Sequence, residues 1–251
     1  MLKEIIENKK KEVEVSKKNF PLDSFKAKLK NSRRDFKAAL SKKGLALIAE
    51  FKRKSPSKNI KEKEFDMGEI IGIYNKYASA ISILTDKKFF NGSLMDLEEA
   101  SKLTYLPLLR KDFIIDEYQI YESRLHNADA VLLIVSALSD EQIKKFIKIA
   151  KDYSMNCIVE AHTGEELSRT LECNAEIIGI NNRDLNTLRI DTGTTLRLAG
   201  KVPKGKIVVS ESGISSRDYV EKIKGKANAM LVGSHFMNSG NVEQEIIALT
   251  R

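Results

Sequence analysis

Glu50 and Lys52 stand two positions apart where the apolar run LALIA ends, inside the stretch IAEFKRKSPS. In an extended chain, residues two apart share a face, so this carboxylate and this ammonium point the same way while Phe51 points opposite. Comparable polar endings recur downstream. LPLLRKDF carries Arg110, Lys111 and Asp112; NCIVEAH carries Glu160 and His162; EIIGINNRD carries Asn181, Asn182 and Arg183. KIVVSESG supplies Ser210, Glu211, Ser212 and Gly213, and AMLVGSH supplies Gly233, Ser234 and His235. Alternation again puts Asn181 with Arg183, and Glu211 with Gly213, on shared faces. Lysines set among carboxylates can donate and accept protons, and an ammonium can neutralise charge building on an oxygen. Two neighbouring lysines push each other's pKa down toward a working pH, whereas carboxylates oppose that shift. Glycines next to serines let the backbone come close to a ligand; with Lys52 and Ser55 they suit an anion such as a phosphate.

These groups can meet only if the chain brings the ends of the apolar runs together. Eight such runs begin near residues 45, 80, 106, 130, 156, 176, 206 and 229. Between most of them lie amphipathic segments of helical length, such as DEQIKKFIKIAKDYS and SRDYVEKIKGK. Runs apolar on both faces, alternating with helices, read as parallel strands covered by helices. Eight such units predict a closed (β/α)8 TIM barrel, an α/β fold, rather than an open doubly wound sheet. No Gly-rich dinucleotide fingerprint follows the first strand. In such a barrel the strands' C-terminal ends share one mouth, which makes an active site the better reading than a solvated ring of ion pairs. Residues 1–43 read as an N-terminal helical extension of a single barrel domain spanning 1–251. Leu2, Ile5 and Ile6, then Phe25 and Leu29, then Phe36, Ala39 and Leu40 recur at helical spacing, and Phe20-Pro21 breaks the first helix.

The chain has 251 residues, a net charge of +8 from 43 Lys and Arg against 35 Asp and Glu, and 42% hydrophobic residues. That apolar share supports a substantial core and excludes wholesale disorder. No stretch reaches the roughly 18–20 uninterrupted apolar residues of a membrane span. MLKEIIENKKKEVEV lacks the apolar core and cleavage site of a secretory signal, so a cytoplasmic protein without a membrane partner is expected. Cys157 and Cys173 have no metal-ligand spacing, and Cys157 reads as a core thiol. Basic residues are dispersed among acids, there is no Trp, and no motif interleaves aromatics with Arg. A Lys-rich solvated surface is therefore favoured over a nucleic-acid site, although the field can steer a small anion inward. His162 and His235 beside Glu160 invite a metal, yet no third ligand accompanies them; His126 reads as a surface residue of a helix. A monomer is compatible with the sequence, which leaves the oligomeric state open.

IAEFKRKSPSK, ISILTDKKFFNGS, LLRKDFIID, VLLIV, GINNRDL, SESGI and MLVGS occur in that order, and together they resemble the indole-3-glycerol phosphate synthase family along the whole chain. The resemblance implies a carboxy-lyase of tryptophan biosynthesis. Its substrate is the small molecule 1-(2-carboxyphenylamino)-1-deoxy-D-ribulose 5-phosphate, closed to an indole with loss of carbon dioxide and water, and it needs no metal and no organic cofactor. Carried over by position, Lys111 corresponds to the general acid for the ketone oxygen and Glu160 to the carboxylate of the later dehydration. Lys52 corresponds to the lysine that holds the substrate carboxylate and assists acid chemistry. Glu50 and Glu211 orient these ammonium groups, Asn181 bonds the reacting region, and Arg183 lies toward the anthranilate. Phe90, Phe113, Leu132 and Leu185 match the wall around the aromatic ring; Ser55, Ser212, Gly213, Gly233 and Ser234 match the phosphate seat. In relatives the N-terminal extension covers the mouth.

Departures from the family pattern are few: Lys58-Asn59 where a glycine is frequent, and Ala161 where a branched residue is frequent. Neither is a proton-handling position. A phosphoribosylanthranilate isomerase-like barrel is the alternative enzyme, but that family is usually shorter, lacks the extension, and works with a cysteine and an aspartate. A basic nucleic-acid-binding barrel is the alternative outside enzymes.

Overall fold

Each apolar run becomes a strand whose alternate side chains enter different layers. A computed structural model describes residues 1–55 and 66–251; the Lys58-Asn59 departure lies outside the described residues. The strands are β1 (Ala46–Phe51), β2 (Ala80–Leu84), β3 (Leu108–Lys111), β4 (Ala130–Ile134), β5 (Asn156–Ala161), β6 (Ile177–Asn181), β7 (Ile207–Glu211) and β8 (Ala229–Val232). Neighbours in sequence pair in parallel, and β1 also pairs with β8, which closes the barrel. The (β/α)8 expectation is met.

Helices α1 (Leu2–Asn19) and α2 (Phe36–Leu40) precede β1. Between strands run α3 (Met67–Tyr77), α4 (Lys87–Phe90), α5 (Leu94–Leu103), α6 (Glu117–Leu125), α7 (Asp140–Asp152), α8 (Gly164–Glu172), α9 (Gly193–Leu198) and α10 (Arg217–Ile223). After β8 come α11 (Ser234–Met237) and α12 (Val242–Thr250). Local sequence sets where many of these begin. Asp66, Ser93, Asp116, Ser139, Thr163, Ser216 and Asn241 each accept a backbone N–H of the first turn of α3, α5, α6, α7, α8, α10 and α12. Each such cap contributes about 1 kcal/mol.

Inward-facing Ala46, Ile48, Leu109, Leu132, Ile158 and Val209 fill the barrel interior. Outward-facing Leu47, Phe51, Ile83, Val131, Val159 and Ile178 meet the helices. The N-terminal extension joins the interior cluster at both ends. Phe36 and Leu40 of α2, both fully buried, close the end where strands start, and the Lys37 N–H donates to Asn156 Oδ1 at the head of β5. Leu2 and Ile5 of α1 belong to the same cluster and line the opposite mouth. Burial of each such side chain stabilises by about 1.5–3 kcal/mol. Among the described residues, no helix is long and apolar enough to cross a membrane.

The structure corrects three details. Phe25 and Leu29 do not lie on an α-helix: single 3-10 turns occupy Leu22–Ser24 and Lys26–Lys28. Phe25 is buried instead by stacking on Phe20 at 4.9 Å and edge-on to Tyr118. Arg110 and Asp112, grouped with Lys111 at the end of strand three, flank it in sequence and so leave the opposite face. Arg110 reaches Glu122 of α6 at 2.9 Å and Asp112 at 3.0 Å. Asp112 touches the edge of the mouth, but its carboxylate serves Arg110, Thr85 and Lys9 of α1. Finally, His126 is the half-buried C-cap of α6, 3.4 Å from Glu98, rather than a surface residue.

Candidate active site

The C-terminal ends of the strands surround a cavity of ≈ 630 Å³. Every residue to which the family resemblance assigns a catalytic or binding role lines it, although these residues come from segments as distant as β1 and β8, whereas Arg110, His162, Asn182 and Ser210 of the same strand ends do not. Glu50 and Lys52 share a face as alternation requires, with Lys52 Nζ 2.6 Å from Glu50 Oε1 and both side chains buried. Lys111, at the end of β3, lies 3.7 Å from Glu160 on β5 and 3.5 Å from Glu211 on β7. Asn181 closes the group from β6, its Oδ1 accepting the Arg183 N–H at 2.9 Å.

Charge balance in this cluster follows from burial and neighbours. Burial alone would depress the Lys111 pKa, but Glu211, Glu160 and Glu50 overcome it and hold the group well above the usual lysine range. The carboxylates therefore outweigh the mutual lysine effect anticipated from sequence. Burial would raise the Glu160 carboxyl, yet Lys111, His162 and Asn181 more than reverse this and keep it below its ordinary value. Glu211 moves the other way: burial and the Glu160 charge push it up, against Lys111. Among the described residues, the carboxylate oxygens of both glutamates meet their partners, Lys111 for both and His162 for Glu160, as ion pairs without hydrogen-bond geometry.

Two glycines owe their identity to close approach. A Cβ on Gly233 would come 2.2 Å from Glu50 Oε1, and one on Gly179 of β6 would come 2.4 Å from Glu211 Oε1. Gly233, assigned from sequence to the anion seat, thus also makes room for a carboxylate. Ser212 and Gly213 both take left-handed backbone, at φ 66° and 75°. For a serine this costs about 1–3 kcal/mol and marks a spot that the surroundings hold in place. A Cβ on Gly213 would meet Ile190 at 2.6 Å. Ser55, Ser212, Gly213, Gly233 and Ser234 line the same cavity as the charged cluster.

The apolar wall comes from Phe90 at the end of α4, Phe113 after β3, Leu132 on β4 and Leu185 after β6. Phe90 and Phe113 lie 6.2 Å apart with a 35° tilt. Arg183 is held by the Leu188 carbonyl at 3.1 Å, and burial lowers its pKa against the pull of Glu50. Sequence reasoning missed several lining residues. Leu2 and Ile5 read as helix packing, and Leu188 and Ile190 sit in a segment folded back by an antiparallel bridge between Arg183 and Ile190. The signals for Leu2 and Ile5 were the amphipathic stripe of α1 and the family resemblance, which puts the extension over the mouth; Leu188 and Ile190 had none.

His162 proves to be a carboxylate partner. Its Nε2 is 3.2 Å from Glu160 Oε1 and its Nδ1 3.0 Å from Glu166 Oε2. His235 pairs with Glu245 at 3.0 Å. Both cysteines are buried in the outer, helix-facing core. Burial pushes the Cys157 thiol far up, as suits a core thiol, and neither cysteine lines the cavity.

Comparison with known proteins places the chain in a family. A family model described as indole-3-glycerol phosphate synthase matches residues 2–249. Proteins named indole-3-glycerol phosphate synthase from Endomicrobium trichonymphae and Caldanaerobacter subterraneus are each 47% identical. The first match covers 84% of this chain and 83% of the relative, the second 94% and 93%. "Tryptophan biosynthesis protein TrpCF" of Buchnera aphidicola is 42% identical over 98% of this chain, which spans about half, 54%, of that relative's length. Among solved structures, 3-hexulose-6-phosphate synthase from Salmonella typhimurium superposes with a TM-score of 0.63 at 15% identity, covering 82% of this chain and 97% of that one. At that identity the likeness speaks for the barrel alone. With the family model running nearly end to end, and near relatives matched along most of both chains, this chain belongs to the indole-3-glycerol phosphate synthase family.

Proposed function

We propose that the chain converts 1-(2-carboxyphenylamino)-1-deoxy-D-ribulose 5-phosphate to indole-3-glycerol phosphate, and that Lys111 is its general acid. The observation that carries this reading is the Lys111 ammonium poised between two buried carboxylates on the floor of a cavity with an aromatic wall. Ring closure begins when the ring carbon attacks the ketone and charge builds on oxygen. An alkoxide is a far stronger base than an amine, so it takes the Lys111 proton although the neighbouring carboxylates hold that proton tightly. Carbon dioxide leaves; the hydroxyl then takes a proton from Lys52, which assists the acid chemistry, and departs as water while a base takes a carbon-bound proton. Glu160, ionised and aimed into the cavity, fits that base.

Lys52, anchored by Glu50, pairs with the substrate carboxylate, and Asn181 bonds the reacting region. Glu211 orients Lys111. Phe90, Phe113, Leu132 and Leu185 enclose the ring with Arg183 beside it, and Ser55, Ser212, Gly213, Gly233 and Ser234 hold the phosphate. The isomerase alternative loses support, because the thiol it needs lies outside the cavity. Incubation with the proposed substrate, followed by indole fluorescence, tests the reading: growth of the indole signal is expected, and a flat trace with folded protein contradicts it.

A further inference from the structure

Glu160 and Glu211 start from nearly identical circumstances. Both are about 1% exposed, both face Lys111 at similar distance, and Gly179 between their strands admits the Glu211 carboxylate. Two carboxylates sharing so little water do not both ionise readily, so one must be favoured. Their surroundings differ: Asn181 favours the Glu160 anion, Glu50 disfavours the Glu211 anion, and a second cation stands on the Glu160 side alone. Behind Glu160 stands His162, and behind His162 stands Glu166, whose Oε2 accepts both the His162 backbone N–H at 2.7 Å and its ring at 3.0 Å. Thr163 caps α8 through the Glu166 N–H, which fixes Glu166 in the first turn. The imidazole does not line the cavity.

We infer that His162, clamped between Glu160 and Glu166, is the positioning residue that makes Glu160 the ionised, proton-accepting member of the Glu160–Glu211 pair. The inference rests on the proposed role of Glu160. The groups facing Glu160 are Lys111 from β3, His162, Asn181 from β6 and Glu211 from β7; Glu50 acts on Glu211. Those facing His162 are Glu160, Glu166 and, from the loop after β6, Asp184. Burial would discharge the imidazole, but its contacts with Glu160 and Glu166 push its pKa up to about 10, so it is a cation throughout the neutral range. A fixed cation at this distance stabilises the Glu160 anion. Among the described residues, no cation besides Lys111 pairs with Glu211.

The test is the pH dependence of kcat in His162→Gln, which keeps a side-chain donor but no charge. A base must be ionised, so the acidic limb follows the Glu160 pKa. Losing the cation raises that pKa and moves the limb to higher pH, by about 1–3 units, with KM unchanged. Glu166→Gln weakens the hold on the imidazolium and moves the limb the same way by less. A limb that stays in place in folded His162→Gln, with activity lowered evenly at all pH, overturns the inference in favour of simple packing. If His162→Gln fails to fold, an unmoved limb in Glu166→Gln overturns it. Glu160→Gln separates the two readings: turnover by that variant removes the Glu160 assignment itself, whereas an inactive Glu160→Gln with an unmoved limb in His162→Gln removes only the role of His162.

Discussion

At the scale of single residues, the site works by contrast between similar groups. Lys52 is tied to one carboxylate at 2.6 Å, whereas Lys111 hangs between two at 3.5 and 3.7 Å. The first geometry suits holding an anion, the second suits releasing a proton to a stronger base. Ser234 belongs to the proposed phosphate seat, so Ser234→Asp should raise KM at least tenfold, about 1.4 kcal/mol, because like charges meet across a partly desolvated site. Steady-state kinetics checks this, and an unchanged KM would place the phosphate elsewhere. Alternation made Glu50 and Lys52 legible from sequence as a shared face. The same rule explains why Arg110 and Asp112 turn away from Lys111, since neighbours along a strand point to opposite faces. His162 could not be read correctly, because Glu166, which holds it, comes from the next helix.

Elements decide whether these contrasts survive. The strands were legible because both faces of a parallel barrel strand are apolar, and the helices because their caps and stripes are regular. The segment from Phe20 to Asp35 was not: its spacing mimics a helix, but Pro21 and aromatic stacking select short turns. Helix α1 is fastened by Lys9, only 4% exposed and 2.9 Å from each of Asp86 and Asp112. Leu2 and Ile5 thereby reach the cavity. Lys9→Met leaves the buried Asp86 carboxylate without its cation and removes one of the two cations of Asp112, and should cost about 3–5 kcal/mol. The loss should appear as a lower urea midpoint or, where α1 detaches first, as tryptic cleavage within α1 while the barrel stays whole. An unchanged midpoint together with an intact α1 would show that Lys9 does not fasten the helix.

Across the whole molecule, the barrel converts eight separated strand ends into one cavity, and the charged cluster at its floor is assembled from β1, β3, β5, β6 and β7. A net charge of +8 spread over the chain favours the approach of a doubly anionic substrate without naming it. In the proposed reaction Lys111 donates the proton that closes the ring. Purified Lys111→Ala, shown by circular dichroism to be folded, should give no indole fluorescence from the carboxyphenylamino-deoxyribulose phosphate under conditions where the parent chain completes the conversion. Parent-like turnover by that variant would contradict the account.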